Sequence, residues 1–486
     1  MPANVRTNQT ILHGSVDSHY QATEIRYKIF VSIWAIATLF HMATNRMFTV
    51  ELHYFLLSAS AIYLLFKPSS IIRLLIFISL QLYEVFNALP MGSNHWFFAA
   101  FVNLTILQAL IYQVLKQKSF RVDRVQFLKT FAPAVRLELI ILYFFVVFHK
   151  LNSGFFTPAV SCASDFYVAQ NAYSLLPSSV EILALNAYFT IFIEALIPVL
   201  LCFRLTRNWG LLIGLIFHCV IAYNPINGFY DFSSVIFALY FLFTSYRFSN
   251  KLYNVYKATY NRKFFVKAQL PNFSYQKFAV FMLIFIGGLL VVHILTTRFH
   301  DYFRHVIWTA FSFSFIAIFI TAMLTKDTRT GVADRAFSIA HPAFLLIPLL
   351  VFLNGMAPYL GLKTESAFAM YSNLRTEGRI TNHYIVPVEL QIFDYQDELI
   401  ELKSSSDKVF KSYIEGNKLL VYPHFQRLVA LRKPKHVTYV RNGVEHTFRL
   451  AKAAPGHELL KEQPFWFRKL IRFRPVSKLD PQPCSH

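Results

Sequence analysis

Long apolar runs, repeated between residues 27 and 358, constrain this chain more than any other feature. A run of roughly 18 or more apolar residues is long enough to cross the hydrocarbon of a bilayer as a helix. About eleven such spans are read here, near 27–45, 48–66, 71–90, 95–115, 131–150, 183–203, 208–223, 232–246, 277–296, 305–324 and 336–358. Composition agrees, because 55% of the 486 residues are hydrophobic and only 15% are charged. That leaves too little polar surface to cover a water-soluble core of this size. The expected fold is an all-α polytopic membrane bundle followed by a small C-terminal β-rich extramembrane domain. Its parts are a cytoplasmic N-terminal segment (1–26), a transmembrane domain (27–362) and an extramembrane domain (363–486).

The formal net charge of +21 fits the positive-inside bias of membrane proteins and contact with anionic lipid, so no nucleic-acid partner is expected. Lys116, Lys118, Arg121, Arg124 and Lys129 cluster between the fourth and fifth spans. Lys251, Lys257, Arg262, Lys263, Lys267 and Lys277 cluster between the eighth and ninth. Segments 91–94, 152–182 and 224–231 contain no Lys or Arg. The alternation predicts a cytoplasmic N-terminus and an external or lumenal C-terminus, in a bacterial inner membrane or the endoplasmic reticulum. The first 26 residues are polar and mixed, and no cleavable signal peptide is read in them. No zinc-ligand cluster, Walker loop or dinucleotide fingerprint is read, and no metal is expected.

Beyond residue 363 the pattern changes. "VELQIF" and "ELIELK" read as strands, and "HVTYVRNGVEHTFRL" reads as a hairpin turning at Asn442-Gly443. The tail "PFWFRKLIRFR" alternates aromatic and basic residues, which suits either lipid headgroups or a solvated terminal helix. The four cysteines, Cys162, Cys202, Cys219 and Cys484, are too widely spaced for a disulfide scaffold. Cys162 and Cys484 fall on the same side of the topology, which leaves room for one bridge.

Ionisable side chains inside spans are expensive and mark functional positions. By depth, His41, Glu51, His53, Glu84, Asn87, Asn94, His95, Lys150, His218 and His293 fall in the outer half. Glu194 lies near mid-depth and His341 on the inner side. Two readings compete. Each group can snorkel to headgroups on its own, or several can share a polar cavity open to the outer face and support acid–base chemistry. Lys150 ends the fifth span beside Phe144, Phe145 and Phe148, where burial would favour the neutral, basic amine.

Three stretches carry a resemblance: "SNHWFFAAFVNLTIL" (93–107), "YFFVVFHKLNSGFF" (143–156) and "GLLIGLIFHCVIAYN" (210–224). They resemble the membrane domain of vitamin K-dependent γ-glutamyl carboxylase and the wider horizontally transferred transmembrane (HTTM) family. The matching features are Asn94-His95, Lys150-Leu151-Asn152, Phe217-His218-Cys219 and Arg136, with a weaker match over "FAMYSNLRTEGRITNH" (368–383). The resemblance implies that Lys150 is the base that deprotonates a hydroquinone, with His95 in support. Asn94, Glu84, His218, His53 and Arg136 would complete the surroundings. It also implies reduced vitamin K or another quinol, with O2 and CO2, as co-reactants. A glutamate-containing protein or peptide would be the carboxylated partner, and the lipid bilayer would carry the quinone. This chain has Ser153-Gly154-Phe155-Phe156 where the family has a tryptophan, and a far shorter lumenal region than the animal enzyme. The alternative is a non-catalytic HTTM-type protein: a lipid or small-molecule transporter, or a partner subunit.

The topology is directly testable. A single cysteine placed at Ser153 is expected to react with an impermeant maleimide from the outer side only. Labelling from the cytoplasmic side alone would overturn the orientation.

Overall fold

The computed structural model describes residues 3–45, 51–260, 297–325 and 335–484, with Ile284, Gly287 and Gly288 as isolated helical positions. The helices are α1 (Ala3–Thr44), α2 (Leu52–Phe66), α3 (Ile71–Ala88), α4 (Asn94–Gln117), α5 (Arg124–Phe148) and α6 (Ser153–Phe156). There follow α7 (Cys162–Gln170), α8 (Val180–Cys202), α9 (Arg207–Ile221), α10 (Tyr230–Phe243), α11 (Tyr246–Tyr260), α12 (Thr297–Leu324) and α13 (Leu346–Met356). The C-terminal region adds α14 (Lys408–Glu415), α15 (Tyr422–Arg432) and α16 (Phe465–Leu470). Its strands are β1 (Leu399–Ser405), β2 (Lys418–Val421), β3 (His436–Arg441), β4 (Val444–Arg449) and β5 (Val476–Ser477).

Among the described residues, six helices are long and apolar enough to cross a membrane: Tyr20–Thr44 within α1, then α3, α4, α5, α8, and Arg304–Leu324 within α12. The expectation of about eleven spans therefore holds only in coarser form. Helices α2, α9, α10 and the Pro342–Met356 segment are apolar but have only 10–17 residues. At 1.5 Å per residue, a 15-residue helix covers about 22 Å, short of a hydrocarbon core of about 30 Å. Hydropathy reads composition, whereas turn residues set where helices stop. Helix α9 ends at Ile221, just before Asn224-Pro225, and α10 begins after Gly228. The span read near 277–296 lies almost wholly outside the described residues, as do residues 48–50 of the second.

Two compact units emerge, one of residues 1–84, 99–139 and 197–348, the other of 85–98, 140–196 and 349–486. In the first, α1 packs along α10, α2 and α11. A buried polar chain links three of its helices: Trp34 Nε1 donates to Asn103 Oδ1 at 3.0 Å, Asn103 Nδ2 to Gln81 Oε1 at 2.6 Å, and Gln81 Nε2 to Thr38 Oγ1 at 3.3 Å. In an apolar setting such groups must satisfy one another. Gly214 permits a close approach between α9 and α10, because a Cβ there would lie 2.6 Å from Tyr240 Cε2.

The second unit contains the sheet, ordered β4-β3-β1-β2-β5 with every pairing antiparallel. Alternate residues Ile400 and Leu402 of β1 enter a core with Phe410, Leu420, Phe425, Val429, Val437, Tyr439 and Phe448. Helices α14 and α15 supply Phe410, Phe425 and Val429. The Asn442-Gly443 hairpin forms as read: Arg441 pairs with Val444, and both turn residues have positive φ, 51° and 80°. "VELQIF" is not a strand. Val388–Leu390 is a 3-10 turn after Pro387, and the amides of Ile392 and Phe393 both bond to the Leu360 carbonyl. The alternation was right for a strand, but no neighbouring edge pairs with it.

Gly443→Val forces a β-branched side chain into the left-handed region, at a cost of about 1–2 kcal/mol. Amide exchange across β3 and β4 is expected to accelerate, by roughly 5–30-fold. Unchanged exchange would contradict this account of the turn.

Candidate functional site

The fifth candidate span of the sequence ends in a tightly closed turn. The amides of His149, Lys150 and Leu151 bond back to Phe145, Val147 and Phe148 at 2.9, 3.0 and 3.1 Å. Asn152 then caps α6, accepting from the Phe155 amide at 2.9 Å while its Nδ2 donates to the carbonyls of His149 (2.7 Å) and Ser372 (2.6 Å). This fully buried amide ties the end of α5 to a distant loop. The same loop supplies Asn382, whose carbonyl accepts from the Ser153 amide at 3.1 Å, and Tyr384, whose amide donates to Leu151 at 2.9 Å. The two stretches 143–156 and 368–383, both singled out by resemblance, thus meet directly.

Two histidines have their tautomers set by this frame. His383 Nδ1 accepts from the amides of Ile385 (3.1 Å) and Val386 (3.0 Å), so Nε2 carries the hydrogen donated to Phe148 O at 2.8 Å. Burial lowers the pKa of His383, keeping the neutral form that this pattern requires. His149 Nε2 donates to Ala367 O at 3.1 Å, and its Nδ1 accepts from Tyr359 Oη at 2.9 Å. His149 is therefore a packed ring held at both nitrogens.

Lys150 turns into the protein. Its side chain is buried and its ammonium forms an ion pair with Glu194 of α8. The residues are only 7% and 8% exposed. The Phe155 ring lies 5.7 Å from Nζ. Glu194 is 14 residues beyond Val180, about 21 Å along α8 at 1.5 Å per residue. On the side of α8 opposite Glu194, Tyr188, Phe189 and Phe192 are exposed, a face suited to lipid.

The other sequence-selected residues divide between the units. In the second, Asn94 Oδ1 accepts from the Phe368 amide at 2.8 Å and its Nδ2 reaches Met370 Sδ at 3.3 Å. His95 is buried, with Nε2 3.3 Å from Ser93 Oγ. One loop, 366–384, thereby touches both the start of α4 and the end of α5. In the first unit, Arg136 donates to the carbonyls of Leu242 (2.9 Å) and Ala336 (2.7 Å), bracing two chain segments. His218 is buried among Phe217, Phe232 and Tyr240. Glu84 is buried in α3. His53 contacts Glu51 at 3.1 Å and stacks near Tyr54. Glu51 itself is exposed at the start of α2, not sunk in an apolar run.

Compared with known protein families, characterised proteins and solved structures, the chain matches none of them. The chemistry must be argued from its own residues. The sequence points to Glu194 without its pairing, to Asn152 and His383 only as parts of matching stretches, and not at all to a second buried ion pair, Arg474 Nε to Glu377 Oε1 at 3.2 Å. An ionised carboxylate in an apolar helix calls for a counter-charge, and that was the available signal for Glu194.

Lys363 was also missed. It is buried against the Phe97 ring (4.9 Å) and 3.4 Å from the Ser366 carbonyl, and desolvation lowers its pKa to about 8. The folded chain releases this proton near pH 8, while the ordinary value is 10.5. Above pH 8 the unfolded state therefore binds more protons, so stability rises with pH until about 10.5. Lys363→Met is expected to stabilise the protein most below pH 8, by about 3 kcal/mol. That advantage should fade toward pH 10.5 when melting is followed in detergent. A pH-independent difference would contradict the assignment.

Proposed function

We propose that this chain is a membrane enzyme acting on a lipid-soluble quinol, of the vitamin K-dependent γ-carboxylase type, with Lys150 and Glu194 as its acid–base pair. The observation that carries the reading is the buried Lys150–Glu194 ion pair at the junction of α5, α6 and α8. Two features of the structure fit a quinol. Helix α8 presents an exposed aromatic face, Tyr188, Phe189 and Phe192, on the side opposite Glu194, where lipid carrying a quinol would meet it, and the Phe155 ring stands beside the ammonium. When bound, a quinol would supply a weakly acidic hydroxyl and, on oxidation by O2, the strong base needed to remove a glutamyl γ-proton so that CO2 can add to the carbanion.

The chain's own part is to hold and move a proton. An ammonium has three donor positions, of which Glu194 takes one. With the proton on Nζ, the carboxylate of Glu194 is the acceptor, and the cation favours negative charge on a nearby hydroxyl oxygen. With the proton passed to Glu194, the free amine of Lys150 is the acceptor. Either state offers one basic site inside a water-poor region, where electrostatic stabilisation is strongest. By resemblance His95 supports this chemistry, with Asn94 beside it in the same unit as Lys150.

The Cys162–Cys484 disulfide supports the proposed orientation. Such bonds persist in oxidising compartments, so the 152–182 segment and the C-terminus belong together outside the cytoplasm. A glutamate-containing peptide would approach from that side.

The competing reading keeps the ion pair as a purely structural tie in a transporter or partner subunit. Four variants separate the readings when quinol oxidation and melting are both measured. Lys150→Ala and Glu194→Gln are each expected to lower oxidation by about 10²–10⁴-fold. Lys150→Arg tells the two acceptors apart: a guanidinium keeps the charge but cannot accept a proton near neutral pH, so this variant should fail if the lysine amine takes the proton and stay active if the Glu194 carboxylate does. Breaking one partner of a buried pair costs about 3–5 kcal/mol, whereas replacing both with apolar residues is often neutral. The double variant Lys150→Met/Glu194→Leu should therefore melt near wild type yet remain inactive. An active Lys150→Arg protein would sink the assignment of Lys150 as base.

A further inference from the structure

The short helix α16 (Phe465–Leu470) is attached to the end of a membrane span. Lys469 Nζ donates to the carbonyls of Phe86, Asn87 and Leu89 at 3.0, 3.3 and 3.3 Å. These carbonyls lie at the C-terminal end of α3, where a helix leaves acceptors without partners and favours a cation. Arg472 reaches the next carbonyl, Pro90, at 3.5 Å. The Phe86 ring is 6.2 Å from Phe465 and 6.3 Å from Trp466. Since α3 (Ile71–Ala88) is long and apolar enough to cross a membrane, its end marks where hydrocarbon gives way to headgroups.

The face that α16 turns in this direction is apolar and uncovered. At 100° per residue, Phe465, Lys469, Trp466 and Leu470 fall within an arc of about 140°. Phe465, Trp466 and Leu470 are 47%, 63% and 42% exposed. On the other side Phe467 packs on Tyr395 at 5.3 Å, and Arg468 pairs with Glu462 at 2.9 Å. A lysine on the apolar arc is explained by its use as the cap of α3. Tryptophan favours the boundary where an apolar ring and a polar N–H are both accommodated.

We propose that α16 is an interfacial anchor: Phe465, Trp466 and Leu470 enter the headgroup–acyl boundary of the leaflet around the end of α3, and Lys469 fixes the helix there. The occupant of the exposed face is lipid. The anchor holds the extramembrane sheet against the bilayer, a role independent of the chemistry at Lys150.

The test uses the full chain in lipid nanodiscs, with Cys202→Ser and Cys219→Ser introduced and the disulfide retained. A nitroxide on Trp466→Cys is compared with one on Leu431→Cys, an exposed site on α15. At 466, collisions with O2 should rise and collisions with a water-soluble nickel chelate should fall, shifting their ratio several-fold relative to 431. If Trp466→Cys does not fold, Leu470→Cys gives the same reading from the next turn. Equal ratios at the two positions would place α16 in water and overturn the anchor. Loss of both collision rates with dipolar broadening between labels would also overturn it, by showing a second copy on this face.

Discussion

A charge in hydrocarbon must be neutralised by a partner, and the end of α5 is organised around that requirement. Lys150 follows an apolar helix and is buried with Glu194. Desolvating two ions is costly, and their attraction compensates only with good geometry and firm support. The support is dense. Asn152 spends its side chain on three backbone groups, His383 holds the Phe148 carbonyl, and His149 is fixed at both nitrogens. These bonds orient the helix end so that the lysine points into α8. An amine held this firmly meets a basic requirement of catalysis, that reacting groups be placed before the substrate arrives.

The loop that provides this support is itself unusual. Ser366, Phe368, Tyr371, Asn373 and Arg379 all adopt positive φ, between 52° and 63°. For bulky side chains that conformation persists only when the surroundings over-determine it. Here they do: the Phe368 amide bonds to Asn94, Asn373 bonds to the carbonyls of Val160 and Gln482, and Arg474 clamps the neighbouring Glu377 and Leu374. Backbone strain of this kind gathers where a site must be held in one shape.

Legibility followed the range of each interaction. The Asn442-Gly443 hairpin was readable because two adjacent residues dictate the turn. Apolar spans were readable from composition alone, but their ends were not, because the helix termini near Gly228 or Asn224 depend on local turns. Lys150 stood out as an isolated charge, while its partner lies 44 positions away on a helix whose depth was judged from hydropathy. Counting residues placed Glu194 mid-membrane and Lys150 at the surface, and so kept apart two groups that are bonded. "VELQIF" failed for the converse reason. Its alternation was local and correct, but strand formation needs a partner edge that only the tertiary fold provides.

The C-terminal tail shows why the extramembrane region cannot be treated as an appendage of the helices. Cys484 is bonded to Cys162, and its amide donates to the Val160 carbonyl at 3.0 Å. Gln482 is held by Asn373, and Arg474 by Glu377. The bridge packs in one apolar cluster with Phe155, Ala163 and Ala187. Phe155 is also the ring beside the Lys150 ammonium, and its amide is the one that Asn152 caps. The last residues of the chain therefore share an apolar cluster with the aromatic side chain that lies beside the Lys150–Glu194 ion pair.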